Sequence, residues 1–122
     1  MKKMYLLVLL LLSLNAHAQW QVFSELEDGT WYFDPTTQTA GKLPRVWALF
    51  DHKEPVGAFG ILSIKTWVEA DCQAGWVREM SLLVFNQPMA AGSVLRNTSP
   101  GTNKIFPVPG SAYDKLAHML CR

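Results

Sequence analysis

Two cysteines are the residues with the most definite chemistry in this 122-residue chain. Cys72 lies in mid-chain, in the stretch VEADCQAGW, and Cys121 is the next-to-last residue. In an oxidising compartment two thiols usually pair, so we expect an intrachain disulfide that ties down the C-terminus. An intermolecular disulfide is the alternative. A zinc site would have to recruit His52 and His118 as further ligands, and the close cysteine pair typical of a redox centre is absent.

The histidines and serines form no catalytic pattern. His52 follows a predicted strand, near Asp51 and Glu54, and we expect a solvated loop histidine there rather than a base or a ligand. His118 is expected at the edge of the apolar stripe of the last helix, or facing solvent. No G-x-S-x-G motif occurs, and Ser111 is explained by helix capping. The residues therefore predict neither an enzyme nor a metal site, and His52 and His118 remain weak ligand candidates.

The N-terminal segment predicts export. The sequence MKKMYLLVLLLLSLNAHAQW has two lysines, then an apolar run, then small residues at Ala16 and Ala18. This order is typical of a secretory signal peptide, so we expect residues 1–18 to be removed and residues 19–122 to form the mature domain. A transmembrane helix would need about 20 apolar residues, and this apolar run is well short of that length. Since no cysteine follows the predicted cleavage site, we do not expect a lipoprotein. The short leader with its two lysines is typical of bacterial export, so we expect a periplasmic or secreted protein with no membrane span.

Composition limits the class of partner. Loss of Lys2 and Lys3 with the predicted leader would change the formal net charge from +1 to −1. A charge near zero gives no electrostatic reason to expect binding to nucleic acid or to a membrane surface. The remaining chain has the length of one domain.

Alternation of apolar and polar residues predicts a sheet. Six strands are expected, at residues 20–26, 30–34, 45–51, 61–72, 76–86 and 93–98, with residues 52–60 as a connection. In the fourth strand Val68 and Cys72 share a parity with other apolar residues, so we expect both to point into the core. After Ser111 the apolar spacing becomes helical, with Leu116 and Leu120 on one face. The sequence predicts an α+β fold: a single antiparallel sheet of about six strands, with a C-terminal helix packed on one face and held by the disulfide.

The opposite parity predicts a candidate interaction surface. If the third and fourth strands are neighbours, an exposed patch would form from Arg45, Trp47, Lys65, Trp67 and Glu69. Aromatic side chains rimmed by charges are typical of protein interaction surfaces. The alternative is that a loop or the N-terminal strand covers the tryptophans.

Four segments in order give the chain a family resemblance. They are WYFDPTT, RVWALFD, SIKTWVEADC, and VPGS before a helix that ends at Cys121. Together they span about residues 20 to 121, and the chain resembles the surface-adhesin protein E-like family. The resemblance implies an antiparallel sheet with a small helix fastened by the disulfide. The activities named for this family are binding of host matrix proteins and of haem, so haem enters as a cofactor by resemblance only. The best-known adhesin is a lipoprotein, and this chain departs from it at the predicted mature N-terminus.

These observations predict a small exported binding or interaction domain that is not an enzyme and whose ligand is unidentified. The expected partner is an extracellular or envelope protein, and the edge strands and tryptophans are compatible with a dimer. The first alternative is a periplasmic structural or envelope-associated domain without a ligand of its own. A haem-binding protein using His52 or His118 is a further alternative.

Overall fold

The computed structural model describes residues 19–100 and 103–122, so the predicted signal peptide lies outside the described residues. Six antiparallel strands form a single sheet in which the spatial order is the order along the chain. The strands are β1 (Gln21–Glu25), β2 (Gly29–Asp34), β3 (Arg45–Val56), β4 (Ile61–Asp71), β5 (Trp76–Phe85) and β6 (Val94–Thr98), followed by one helix, α1 (Ala112–Leu120). The predicted fold class is therefore confirmed.

The two faces of the sheet differ in what covers them. We call the face that carries Val46 and Val68 the helix face, because Leu116 and Leu120 of α1 pack there in the main apolar cluster. Burial of these branched side chains against the helix is the main source of the domain's stability. The opposite face, which carries the paired residues Trp47 and Trp67, we call the tryptophan face.

The helix α1 begins and ends as the sequence predicts. The Ser111 hydroxyl accepts a hydrogen bond from the backbone N–H of Asp114 at 3.3 Å, which satisfies one of the free N–H groups of the first turn. Leu116 is fully buried. An amphipathic helix of nine residues is too short to be stable alone, so packing and a covalent link must hold it.

The disulfide joins Cys72 to Cys121 with a Cα–Cα distance of 5.5 Å, as predicted. The prediction that Cys72 points into the core is wrong, since both cysteines are exposed. β4 ends at Asp71, so Cys72 already belongs to the turn that leads into β5. The bond therefore closes the rim of the sheet at the last turn of α1 and is not part of the apolar core.

β3 is longer than predicted, because it continues to Val56 through residues assigned to a connection. Its pairing with β4 is irregular between Asp51 and Val56. A proline can lie in such a stretch because no ladder hydrogen bond is required of its nitrogen, and Pro55 lies there. His52 is consequently a strand residue and not the loop residue that the sequence suggested.

Candidate interaction surface

The tryptophan face carries a compact aromatic and cationic cluster. Trp47 and Trp67 are direct cross-strand partners, with ring centroids 5.3 Å apart and planes inclined by 38°. The Lys65 ammonium lies 4.6 Å from the centroid of Trp47 and 5.8 Å from that of Trp20, within range of cation–π attraction. All four side chains are half-buried. The structure thus brings together the two tryptophans and the lysine that the sequence placed on one face, and adds Trp20.

Glu69 differs most from its expected position. The sequence placed it on an exposed face, but its side chain is fully buried. Its carboxylate accepts hydrogen bonds from Arg45 Nε at 2.7 Å and from Arg78 Nε at 2.8 Å. A buried carboxylate requires such partners because its desolvation is otherwise costly. Glu69 is therefore not a contact residue of the surface. It fixes the position of Arg45, whose side chain is 41% exposed.

Arg78 was not among the residues singled out from the sequence. Its side chain is 27% exposed, and it stands opposite Glu69 in the register of β4 and β5. A signal for this pair exists in the sequence, since a hairpin that turns after Asp71 brings Arg78 close to Glu69. Counted from the Asp71–Trp76 pair next to the turn, the register places Arg78 opposite Glu69, before the bulge between Trp67 and Val68.

A short 3-10 turn, Pro35–Thr37, bounds the tryptophan face on one side. The buried Asp34 carboxylate accepts a hydrogen bond from the N–H of Thr36 at 3.0 Å and so caps this turn. The hydroxyl of Thr37 then accepts a hydrogen bond from the N–H of Trp47 at 3.1 Å. The side chain of Thr37, in the turn that directly follows β2, thereby holds the backbone next to the tryptophan pair.

A second turn, Pro88–Ala90, bounds the other end of the face. The N–H of Met89 donates to Asp51 Oδ1 at 2.8 Å, and the N–H of Ala90 donates to Ser63 Oγ at 2.9 Å. Met89 and Ala90 have φ angles of 57° and 58°, a left-handed conformation that costs energy in residues with a side chain. The side chains of β3 and β4 hold the turn in this conformation, and the tryptophan pair lies between the two turns.

The two candidate histidines, His52 and His118, lie on different elements. The His52 ring in β3 packs edge-on against Phe50, with centroids 4.6 Å apart. His118 on α1 has a side chain that is 77% exposed, with Nδ1 3.3 Å from Asp114 Oδ1. Across residues 19–100 and 103–122 there is no group of three or more histidine, cysteine, aspartate or glutamate side chains placed to hold a metal ion.

A polar contact under the helix also went unnoticed in the sequence. The Tyr113 hydroxyl donates a hydrogen bond to Glu79 Oε2 at 2.9 Å, and its ring packs 5.4 Å from that of Trp31. Removal from water, reinforced by the neighbouring Glu79 carboxylate, raises the pKa of Tyr113 well above its usual range. This contact positions the first turn of α1 and has no counterpart on the tryptophan face.

The fold and the tryptophan face together define a small disulfide-tied α+β domain with a prearranged aromatic surface. The family model for surface-adhesin protein E matches residues 20–122, and the chain belongs to that family. No curated protein and no solved structure matches the chain. Family membership indicates a non-enzymatic protein that is exported or displayed on the surface and binds external molecules. Within the described residues, no helix has the length and apolar character needed to cross a membrane.

Proposed function

We propose that this chain is an exported binding domain that contacts an extracellular or envelope protein through its tryptophan face. The observation that carries the proposal is the half-buried Trp47–Trp67 pair with Lys65 against it. Tryptophan and arginine dominate the binding energy of protein interfaces, and they do so in clusters surrounded by weaker contacts. The contact residues in this proposal are Arg45, Trp47, Lys65 and Trp67.

Preorganisation supports this assignment. Ordering long side chains on binding costs free energy, and that cost is lower where the side chains are already fixed. The Glu69 carboxylate holds Arg45, and the ring of Trp47 contacts both Trp67 and the Lys65 ammonium. A partner would therefore meet a surface whose aromatic and cationic groups already have defined positions.

The charge of the surface indicates the chemistry of the partner. Arg45 and Lys65 supply two cations, while the neighbouring carboxylates of Glu69 and Asp34 are both buried. Glu69 is already paired with Arg45 and Arg78, and Asp34 caps the Pro35–Thr37 turn. We therefore expect the partner to present carboxylates around an apolar or aromatic centre, because complementary charge favours both encounter and register. Export of residues 19–122 after cleavage of the leader would place the surface in the periplasm or outside the cell.

The proposal is tested with Trp67→Ala and Lys65→Ala, measured for binding to a panel of purified extracellular matrix proteins by biolayer interferometry. Phe106→Ala is the matched control, since Phe106 is an aromatic residue with 67% exposure outside this face. We expect both test variants to weaken the same interaction and the control to leave it unchanged. Circular dichroism verifies that each variant is folded.

Two results would count against the proposal. One is binding that persists in Trp67→Ala and Lys65→Ala alike. The other is a wild-type protein that binds nothing on the panel and is recovered from cells only in the periplasmic fraction without a partner. The second result would favour a structural or envelope-associated domain without a ligand of its own.

A further inference from the structure

A separate apolar groove lies on the helix face at the end of β4 that is remote from the disulfide. It has a volume of about 430 Å³ and is lined by Phe59, Ile61, Val84, Leu95 and Arg96. Phe59 at the tip of the β3–β4 hairpin is 78% exposed, and Leu95 is 41% exposed. Exposed apolar side chains grouped around one depression mark an interaction site more often than a chance arrangement.

The groove adjoins a free edge of the sheet. β6 is the last strand, and all five of its residues are exposed, so its outer N–H and C=O groups have no strand beside them within the described residues. The opposite edge, β1, has a bulge between Val22 and Ser24, and α1 reaches it through a contact of 3.5 Å from Lys115 Nζ to Ser24 Oγ. Bulges and covering elements are the usual protection of a sheet edge. β6 also has a bulge, but in the described part of the chain the helix contacts β1 and not β6 to a comparable extent.

A bulge in β6 shapes the groove. Val84 pairs with Arg96 and Phe85 pairs with Val94, so Leu95 is an extra residue with no partner in β5. Consecutive strand residues normally point to opposite faces, yet Leu95 and Arg96 both line the groove. A bulge redirects a side chain in this way, and such features are frequent next to functional sites.

Arg96 makes the groove favour a ligand with a negative charge. Its side chain forms no ion pair or hydrogen bond with any other residue in the described part of the chain, whereas Arg45 and Arg78 both pair with Glu69. A guanidinium group at the rim of an apolar groove favours a carboxylate that accompanies an apolar group.

We infer that β6 binds an extended peptide segment of another protein by strand addition, with one apolar side chain in the groove and an acidic side chain at Arg96. In strand addition the main-chain hydrogen bonds supply affinity, and pockets for alternate side chains supply specificity. The apolar and acidic residues of the peptide are two positions apart, because side chains on one face of a strand alternate. This site lies on the opposite face from Trp47 and Trp67, so it stands independently of the proposed function.

A second copy of this chain fits the edge less well than an acidic peptide does. Arg96 is the middle residue of β6, so symmetric antiparallel pairing of two copies over the full length of the strand would place the two Arg96 side chains opposite each other. Like charges directly opposite in a sheet are destabilising. An acidic peptide would instead place its carboxylate next to the Arg96 guanidinium.

The test uses residues 19–122 and short capped peptides in which threonines surround one glutamate and one leucine two positions apart, in both sequence orders. Amide chemical shifts are followed by NMR during titration. We expect saturable shifts in β6 and around Phe59, and about tenfold weaker binding when lysine replaces the glutamate of the peptide. Arg96→Glu should reverse this preference, whereas Lys42→Glu, the same charge change at an exposed loop residue, should preserve it.

Methylation of the peptide backbone separates strand addition from simple adsorption. A strand pairs through every second N–H, so methylation of one alternating set of nitrogens should abolish binding and methylation of the other set should leave it intact. Equal affinity for the glutamate and lysine peptides, insensitivity to both methylation patterns, or the absence of saturable shifts would overturn the inference. Concentration-dependent shifts of β6 in the protein alone would assign the edge to a second copy instead.

Discussion

Replacement of Glu69 by alanine tests how the tryptophan face is built. The buried carboxylate accepts hydrogen bonds from Arg45 Nε at 2.7 Å and Arg78 Nε at 2.8 Å. Removing one partner of a buried ion pair costs about 3–5 kcal/mol. The side chains of Arg45 and Arg78 are 41% and 27% exposed, so water hydrates both guanidinium groups once the carboxylate is gone. We therefore expect a loss at the lower end of that range, about 3 kcal/mol in the free energy of unfolding.

The measurement is urea unfolding followed by circular dichroism, with the slope of the transition checked for two-state behaviour. Glu69→Gln keeps the shape and one acceptor but removes the charge, so it should lose about 1–2 kcal/mol. Glu54→Ala is the matched control, because Glu54 is a carboxylate in β3 with an exposed side chain and should change stability by less than about 0.5 kcal/mol.

A loss in Glu69→Ala no larger than in Glu54→Ala would refute the buried ion pair. A double-mutant cycle with Arg78→Ala sharpens the test, because residues in contact show a coupling free energy that independent sites lack. We expect a coupling of about 1 kcal/mol or more. A coupling near zero would mean that Glu69 and Arg78 do not pair in solution, and the argument that Glu69 orders Arg45 would lose its basis.

Three further predictions follow from other contacts. The Cys72–Cys121 bond spans 49 residues, so reduction should lower the free energy of unfolding by about 4 kcal/mol, and a drop below about 1 kcal/mol would contradict a structural role. Burial raises the pKa of Tyr113, so above about pH 10 the group ionises in the unfolded chain but not in the folded protein. Its contribution to the free energy of unfolding is therefore complete below that pH and should fall as the pH rises further, by up to about 1.4 kcal/mol per pH unit. Urea unfolding of wild type and Tyr113→Phe from pH 9 upward measures this fall, and an identical decline in both would exclude Tyr113 as its source. Trp67→Ala should lose about 1–2 kcal/mol, since the ring is half-buried against another aromatic ring; a larger loss would mean that it is a core residue.

The sequence was sufficient for the fold because its strongest signals are local. Alternation in the fourth strand places Val68 on the helix face and Trp67 on the other, and both lie where the parity predicts. The helical spacing of Leu116 and Leu120 after the cap at Ser111 is equally local. Once β3 and β4 are neighbours, the Trp47–Trp67 pairing follows from the register alone.

The parts that sequence reasoning missed depend on contacts between distant residues. Parity placed Glu69 outside the apolar core, but its carboxylate is held between two residues of the neighbouring strands, Arg45 in β3 and Arg78 in β5. The turn Pro88–Ala90 is held by Asp51 and Ser63, neither of which is near it in the chain. The alternation of residues within one strand does not encode contacts with other strands and turns, so it predicted the strands but not what covers their ends.

The arrangement of these contacts explains why the two proposed surfaces can be tested separately. The tryptophan face is ordered by Glu69 and by two turns, while the groove at β6 is formed by a bulge and a hairpin tip on the opposite face. No residue is shared between them, so Trp67→Ala should leave peptide binding at β6 unchanged, and Arg96→Glu should leave binding at the tryptophan face unchanged. Each variant is the control for the other. A single partner whose binding is weakened by both would have to span the two faces around the β6 edge, and that result would join the two surfaces into one extended site.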